Sequence, residues 1–300
     1  MNTIGIDIGG TLLRAAVFDE DFTILDRTAF PNDRNASAEA NAGGLAAFIL
    51  DAAGSPEAAG SLFRGIGIGC PGPLDFRAGK VLNPPNLYGW NGFEIVRFFK
   101  EKTGLRTVLT NDANAAGLAE ARLGAGKGRE SVFYITVSTG VGGAYVYRGE
   151  LVSGAHSAAA EIYDLIVCED PWHHKGANPG SLNETCGGDA LARQAAEAFG
   201  RSVDVKELYN DLYLAQRRPE ALRIIERAVD NLARGIGNIA CTVDPDLFIV
   251  GGSIALHCPG FLEKLEERAG LYMIDPAYLR ICPPRFGGDA GLIGAALLLS

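Results

Sequence analysis

An aspartate that closes an apolar run and is followed by two glycines and a threonine is the first stretch able to do chemistry: Asp7-Ile8-Gly9-Gly10-Thr11. Glycines let the backbone approach a ligand, so that its N–H groups and the Thr11 hydroxyl can be turned toward an anion such as phosphate. Asp7 cannot bind phosphate itself; the task that suits it is holding Mg2+ through water. A hairpin turn with positive φ accounts for the glycines alone. A second tip, Ser138-Thr139-Gly140-Val141-Gly142-Gly143, has the same ingredients without the carboxylate, and two such tips in one chain favour a nucleotide. A third glycine pair, Gly251-Gly252 before Ser253, follows an apolar run. It would let a flat adenine or ribose lie against backbone, and a plain strand-to-helix turn explains it too.

These motifs need strands to hold them. Residues 3–8 alternate as a strand, Gly9-Gly10-Thr11 makes a tight turn, and an extended run resumes until a turn at Asp19–Asp21. An alanine-rich helix is expected over about 37–54, a buried strand at 65–70 running into a glycine-proline loop, and a strand at 106–110 ending on Asn111-Asp112 before a helix. The strand–glycine–strand pattern then repeats at 131–149. A long helix over roughly 219–241, a buried strand after Asp244-Pro245 and a final apolar helix complete the pattern. Two glycine-tipped hairpins opening two α/β halves imply a duplicated architecture. The fingerprint of dinucleotide binders, in which the glycines open a helix, is missing, since those of 9–10 lead into a strand.

At 300 residues there is room for two lobes. The net charge of −9 argues against a nucleic-acid or anionic-membrane partner, because no basic block exists to neutralise phosphates. The opening residues lack a secretory pattern, and no apolar run approaches the roughly 20 residues that span a bilayer, so a cytoplasmic protein is expected. The six cysteines form no CxxC pair and read as small buried apolar groups.

With DIGGT and Arg14 following it, GCPGPLD at 69–75, PNL at 85–87 with Trp90, TNDANAAGLAE at 110–120, STGVGG at 138–143, DPDLFIVGGS at 244–253 and GLIGAAL at 291–297, the chain resembles the ROK family of sugar kinases over essentially its whole length. Single motifs are weak, but their order and spacing together are specific. The resemblance implies an α/β, actin-like (ribonuclease H-like) duplicated two-lobe ATPase fold. Its smaller lobe would be 1–117 rejoined by a C-terminal helix at 287–300, its larger lobe 118–286, with sugar and ATP in the cleft between. It also implies a homodimer, Mg2+ with ATP, and phosphate contacts from Asp7, Gly9, Gly10, Thr11, Arg14, Thr139, Gly140, Gly142, Gly251 and Gly252. Asp112 stands where similar kinases keep their general base, with Asn86 and Asn111 toward sugar hydroxyls. The plainer role for Asn111 or Asp112 is to cap the following helix.

Members of the family commonly carry a histidine and three cysteines that bind zinc beside the sugar. Here the matching stretches are 160–164 and 174–184, where the four ligand positions hold Asp164, His174, Gly176 and Ser181. A closed structural zinc site needs four donors, so no structural zinc is expected, and Leu165, Ile166, Trp172 and Leu182 are expected to anchor the loop. A rebuilt metal site from Cys168, His173, His174 and Cys186 matches no known module. Glu161 and Asp164 are candidate sugar contacts, as are Asn183 and its neighbour Glu184.

Two rival functions differ in class. A sugar-responsive repressor needs a DNA-binding module ahead of the kinase-like body, and with a first strand at Thr3 none is expected. A catalytically silent sugar-binding protein would not need the phosphate machinery of Asp7, Thr11, Asp112 and the second tip. Epimers differ in the direction of one hydroxyl, which a sequence does not encode legibly; glucose is the first expectation, then fructose or an N-acylmannosamine.

Overall fold

In the computed structural model, which describes residues 1–85, 87–170 and 177–300, β1 (Asn2–Ile8) is the central strand of a five-stranded sheet. β2 (Leu12–Phe18) and β3 (Ile24–Pro31) extend it antiparallel on one side; β4 (Phe63–Cys70) and β7 (Thr107–Asn111) add parallel strands on the other. A short ribbon of β5 (Leu74–Asp75) and β6 (Lys80–Val81) lies between β4 and β7 in the chain. Because β1 is central, both its faces are covered, although its sequence alternates. Ile4, Ile6 and Ile8 join the core beneath α1 (Ala38–Ala53), and Gly5 lies against the backbone of α10 (Ala290–Leu297), where a Cβ would come within 2.2 Å of the Leu292 carbonyl. Gly67 on β4 makes the same close approach to Ala295. Local signals set the ends of α1: the Ser37 Oγ accepts from the Ala40 N–H, and Gly54 takes the left-handed conformation at φ 77°. α2 (Pro56–Leu62) and α3 (Ile95–Thr103) complete the helices before β7, and α4 (Asp112–Arg122) follows directly on it.

The second sheet has β10 (Glu150–Leu151), β9 (Val141–Tyr147), β8 (Ser131–Val137), β11 (Leu247–Gly251) and β12 (Ile281–Cys282) side by side in that order. Counted from its own first strand, each sheet runs 3-2-1-4-5, with an antiparallel hairpin first and parallel strands after it. The repeated glycine-tipped hairpins are thus the first two strands of two topologically equivalent sheets. α5 (Leu182–Cys186), α6 (Gly188–Phe199), the 25-residue α7 (Pro219–Val243), α8 (Ser253–His257) and α9 (Phe261–Gly270) pack with this sheet around a core that includes Leu182, Leu232, Ile236, Phe248 and Leu265. Two compact units result: Met1–Ala119 with Phe286–Ser300, and Glu120–Arg285. Among the described residues no helix is long and apolar enough to cross a membrane.

Candidate functional site

In the first unit the parallel strands β1, β4 and β7 end together, with Asp7 paired to Gly69 and Cys70 to Asn111. Side chains at the carboxyl ends of parallel strands face the crevice where α/β sheets hold ligands. Asp112 opens α4 there, and the Ala113 N–H donates to both Asn111 Oδ1 and Asp112 Oδ1 at 2.9 Å. The capping role therefore exists, and it fixes the orientation of both side chains. Burial pushes the Asp112 carboxyl above the usual range against the pull of that N–H, and the nearby charge of Asp7 pushes it the same way. Burial raises the Cys70 thiol, helped by Asp112 and Asp7, so Cys70 is a neutral filler beside two carboxylates.

Asp7 is held from the neighbouring strand. Arg14 lies opposite it in register, donates from Nε to Oδ2 at 3.0 Å, and ion-pairs with the same oxygen through Nη2. Behind Asp7 stands Gly291 of α10, where a Cβ would come within 3.1 Å of Oδ1. In the tip, Gly9 donates its N–H to the Leu12 carbonyl at 2.9 Å, and Thr11 is exposed. Asn86 lies outside the described residues.

In the second unit the tip is Ser138–Gly140. Its carbonyls accept from the start of α6, Gly188 N–H to Ser138 at 2.8 Å and Asp189 N–H to Thr139 at 3.0 Å, and Thr139 is exposed. Ser253, at the start of α8, shares a hydroxyl hydrogen bond with Ser138 at 2.9 Å. Gly251 and Gly142 sit inside strands on either side of Thr136, and Gly252 makes the strand-to-helix turn at φ 92°. A Cβ on Gly252 would come within 2.3 Å of the Val137 carbonyl, so the turn demands glycine.

The sugar-side candidates of this unit separate. Asn183 faces the tip: its Oδ1 accepts from the Val141 N–H at 3.2 Å and its Nδ2 donates to Glu184 Oε1 at 3.4 Å. Glu184 is buried and held by Arg193, which donates to its backbone carbonyl at 3.1 Å. Asp164 accepts from the Asn178 side chain at 2.7 Å, closing the base of the 165–181 loop. Glu161 lies just before the short 3-10 turn Ile162–Asp164.

The loop is not anchored quite as its sequence suggests. Leu182 is fully buried and Leu165 packs on the core, but Ile166 is 56 % exposed, because it lies in a two-stranded bridge with Ser181 whose backbone bonds, not side-chain burial, hold it. Cys168 accepts from Asn231 Nδ2 at 3.6 Å, and Asp170 pairs with Arg227. The Cys186 thiol is buried, donates to the Ala228 carbonyl at 3.2 Å and is pushed up to about 12 by burial, which disfavours a metal-binding thiolate. Trp172, His173, His174 and Gly176 lie outside the described residues.

Sequence reasoning missed Asn32, Gly291, Asn178 and Arg193. Gly291 falls within the 291–297 motif and Asn178 within the 174–184 stretch, but each of the four acts on a group away from it in the chain or across a packing contact, which its own neighbours do not reveal.

The profile of the ROK family matches residues 3–300. An N-acetylmannosamine kinase of Escherichia coli is 34 % identical over 301 residues, covering 99 % of this chain and 98 % of that protein. A ROK hexokinase from Thermus thermophilus superposes with a TM-score of 0.88 at 36 % identity, covering 99 % of this chain and 97 % of the other. A ROK family glucokinase from Streptomyces griseus, solved with glucose and AMPPNP, superposes with a TM-score of 0.75 at 28 % identity and covers 99 % of both chains.

Proposed function

Since the chain belongs to the ROK family and is a sugar kinase with the actin-like duplicated fold, we propose that it transfers the terminal phosphoryl group of ATP to a hexose hydroxyl with Asp112 as the base. The observation that carries this reading is Asp112 itself: oriented by the Ala113 N–H, placed with Asn111 at the ends of β4 and β7, and raised in pKa by burial and Asp7. A carboxylate with a raised pKa is a better proton acceptor, and the ideal catalytic pKa approaches the working pH. Phosphoryl transfer asks little covalent work of the protein, so Asp112 orients the sugar hydroxyl and takes its proton late.

Magnesium fits the residues present. Two carboxylates close enough for Asp7 to raise the pKa of Asp112 are hard oxygen donors whose repulsion a cation would relieve, and Gly291 leaves space beside Asp7 Oδ1. Asp7 would hold it through water, and when bound it supplies positive charge against the phosphates. The chain's own contribution is to fix Asp7 through Arg14, to present the Gly9–Thr11 and Ser138–Gly140 backbones to phosphate oxygens, and to set Asn111 against the sugar. We take the two compact units as the two lobes, and the working assembly as a homodimer. Asn183, spent on the glycine tip, suits the nucleotide side better than the sugar, which leaves Glu161 and Glu184 as the carboxylates for sugar hydroxyls. Glucose is the first candidate, with fructose and N-acetylmannosamine next; the kinship to an N-acetylmannosamine kinase supports including the last.

Coupled ADP release tests this on glucose, fructose, mannose and N-acetylmannosamine, the parent compared with Asp112→Asn. One hexose should give turnover that the variant loses. A parent that binds sugar but releases no ADP with any of them would make the silent binding protein the better reading.

A further inference from the structure

Asn32 sits just past β3, is 8 % exposed, and uses its side chain in two directions. Its Nδ2 donates to the Gly9 carbonyl at 2.9 Å, and its Oδ1 accepts from Trp90 Nε1 at 3.2 Å. Its backbone N–H also donates to the Thr11 carbonyl at 2.9 Å. Trp90 is fully buried and stacks edge-on against Phe93 in the segment that leads into α3. One residue therefore touches the first glycine tip and the indole of Trp90, which follows Asn86 by four positions in the sequence.

A backbone tip attracts phosphate only if its carbonyls, which carry partial negative charge, are turned away. In the first tip both flanking carbonyls, Gly9 and Thr11, are taken by Asn32. In the second tip the carbonyls of Ser138 and Thr139 are taken by the first N–H groups of α6. The two tips solve the same electrostatic problem, one with a helix start and the other with a single asparagine.

We propose that Asn32 is a positioning residue that orients the Gly9–Thr11 tip for a nucleotide phosphate while anchoring the Trp90 loop for the sugar. This rests on the proposed kinase reading, and its two arms can be cut separately. Asn32→Asp keeps an acceptor for Trp90 but sets a carboxylate oxygen against the Gly9 carbonyl. Trp90→Phe keeps most of the ring volume and removes only the N–H donor.

Dissociation constants for Mg-ATP and for the preferred hexose, measured separately by calorimetry, decide the matter. Asn32→Asp should weaken ATP about tenfold, the scale of one buried hydrogen bond, with sugar affinity held within about twofold. Trp90→Phe should show the reverse split. Equal weakening of both ligands by each variant, or no change in either, would overturn the proposal and leave Asn32 a structural residue. Should Asn32→Asp fail to fold, Asn32→Ala replaces it: cutting both arms, it should weaken ATP and sugar together where Trp90→Phe weakens the sugar alone. A parent that binds ATP but releases no ADP would sink the kinase reading while leaving this test intact; a parent that does not bind ATP overturns both.

Discussion

Arg14 stands opposite Asp7 across the β1–β2 ladder and donates to its Oδ2 at 3.0 Å, while its Nη1 lies 3.8 Å from Asp289 ahead of α10. One guanidinium thus spans a carboxylate at a strand end and another from the returning C-terminal segment. The Asp7 charge raises the Asp112 pKa, and an ion pair that offsets the Asp7 charge is expected to limit that effect.

Removing Arg14 should therefore make the Asp112 carboxylate costlier to form. Arg14→Met is expected to move the acid limb of the kcat/KM profile to higher pH, with a larger loss at pH 6 than at pH 8. A profile that keeps its midpoint and only drops in height would show that Arg14 acts on something other than the charge of Asp7.

Asp112→Asn should cost at least about a hundredfold in turnover, the scale of losing a positioned base, with sugar affinity retained. Stability should move the other way. The folded pKa of Asp112 is raised, so its stabilising protonated form is fully present below the unfolded pKa and is lost as pH rises through the folded value. The neutral amide escapes that loss. The melting temperature of the variant should exceed the parent's near pH 7, and the gap should shrink toward pH 4; a gap that is constant with pH would contradict a buried carboxylate with a raised pKa.

Bulk at Gly140 should act on the nucleotide. A Cβ there would come within 2.5 Å of Asn183 Oδ1, the atom that accepts from Val141, so Gly140→Val should displace the amide that braces the tip. The KM for ATP is expected to rise by about tenfold or more, the loss of one hydrogen bond or greater, while the KM for sugar changes little. Similar shifts in both constants would place the damage in folding.

The loop around 165–181 should hold its shape without structural zinc. Asp164 is engaged with Asn178, Ser181 is buried at a backbone bridge, and Cys186 keeps its proton for the Ala228 carbonyl. Metal analysis of protein purified without added zinc should give far less than one equivalent, and activity should survive chelation once Mg2+ is restored. Near-stoichiometric zinc whose removal abolishes activity would instead point to Cys168, His173, His174 and Cys186.

What the sequence determined by itself is what depends on a few neighbouring residues. The glycine tips, the Ser37 and Gly54 ends of α1, the repeated hairpin and the helix opening at Asp112 are local backbone preferences, written within a turn of where they act. Tertiary structure decided which donor meets which acceptor. Asn32 reaches Gly9 across 23 positions and Trp90 across 58, and Asn183 reaches Val141 across 42. The raised pKa of Asp112 likewise depends on burial and on Asp7, contributed by a strand more than a hundred residues earlier. Hydrogen bonds fall steeply with distance and angle, and a charge interaction depends on separation and burial, so a residue's role in them exists only once packing has set those quantities.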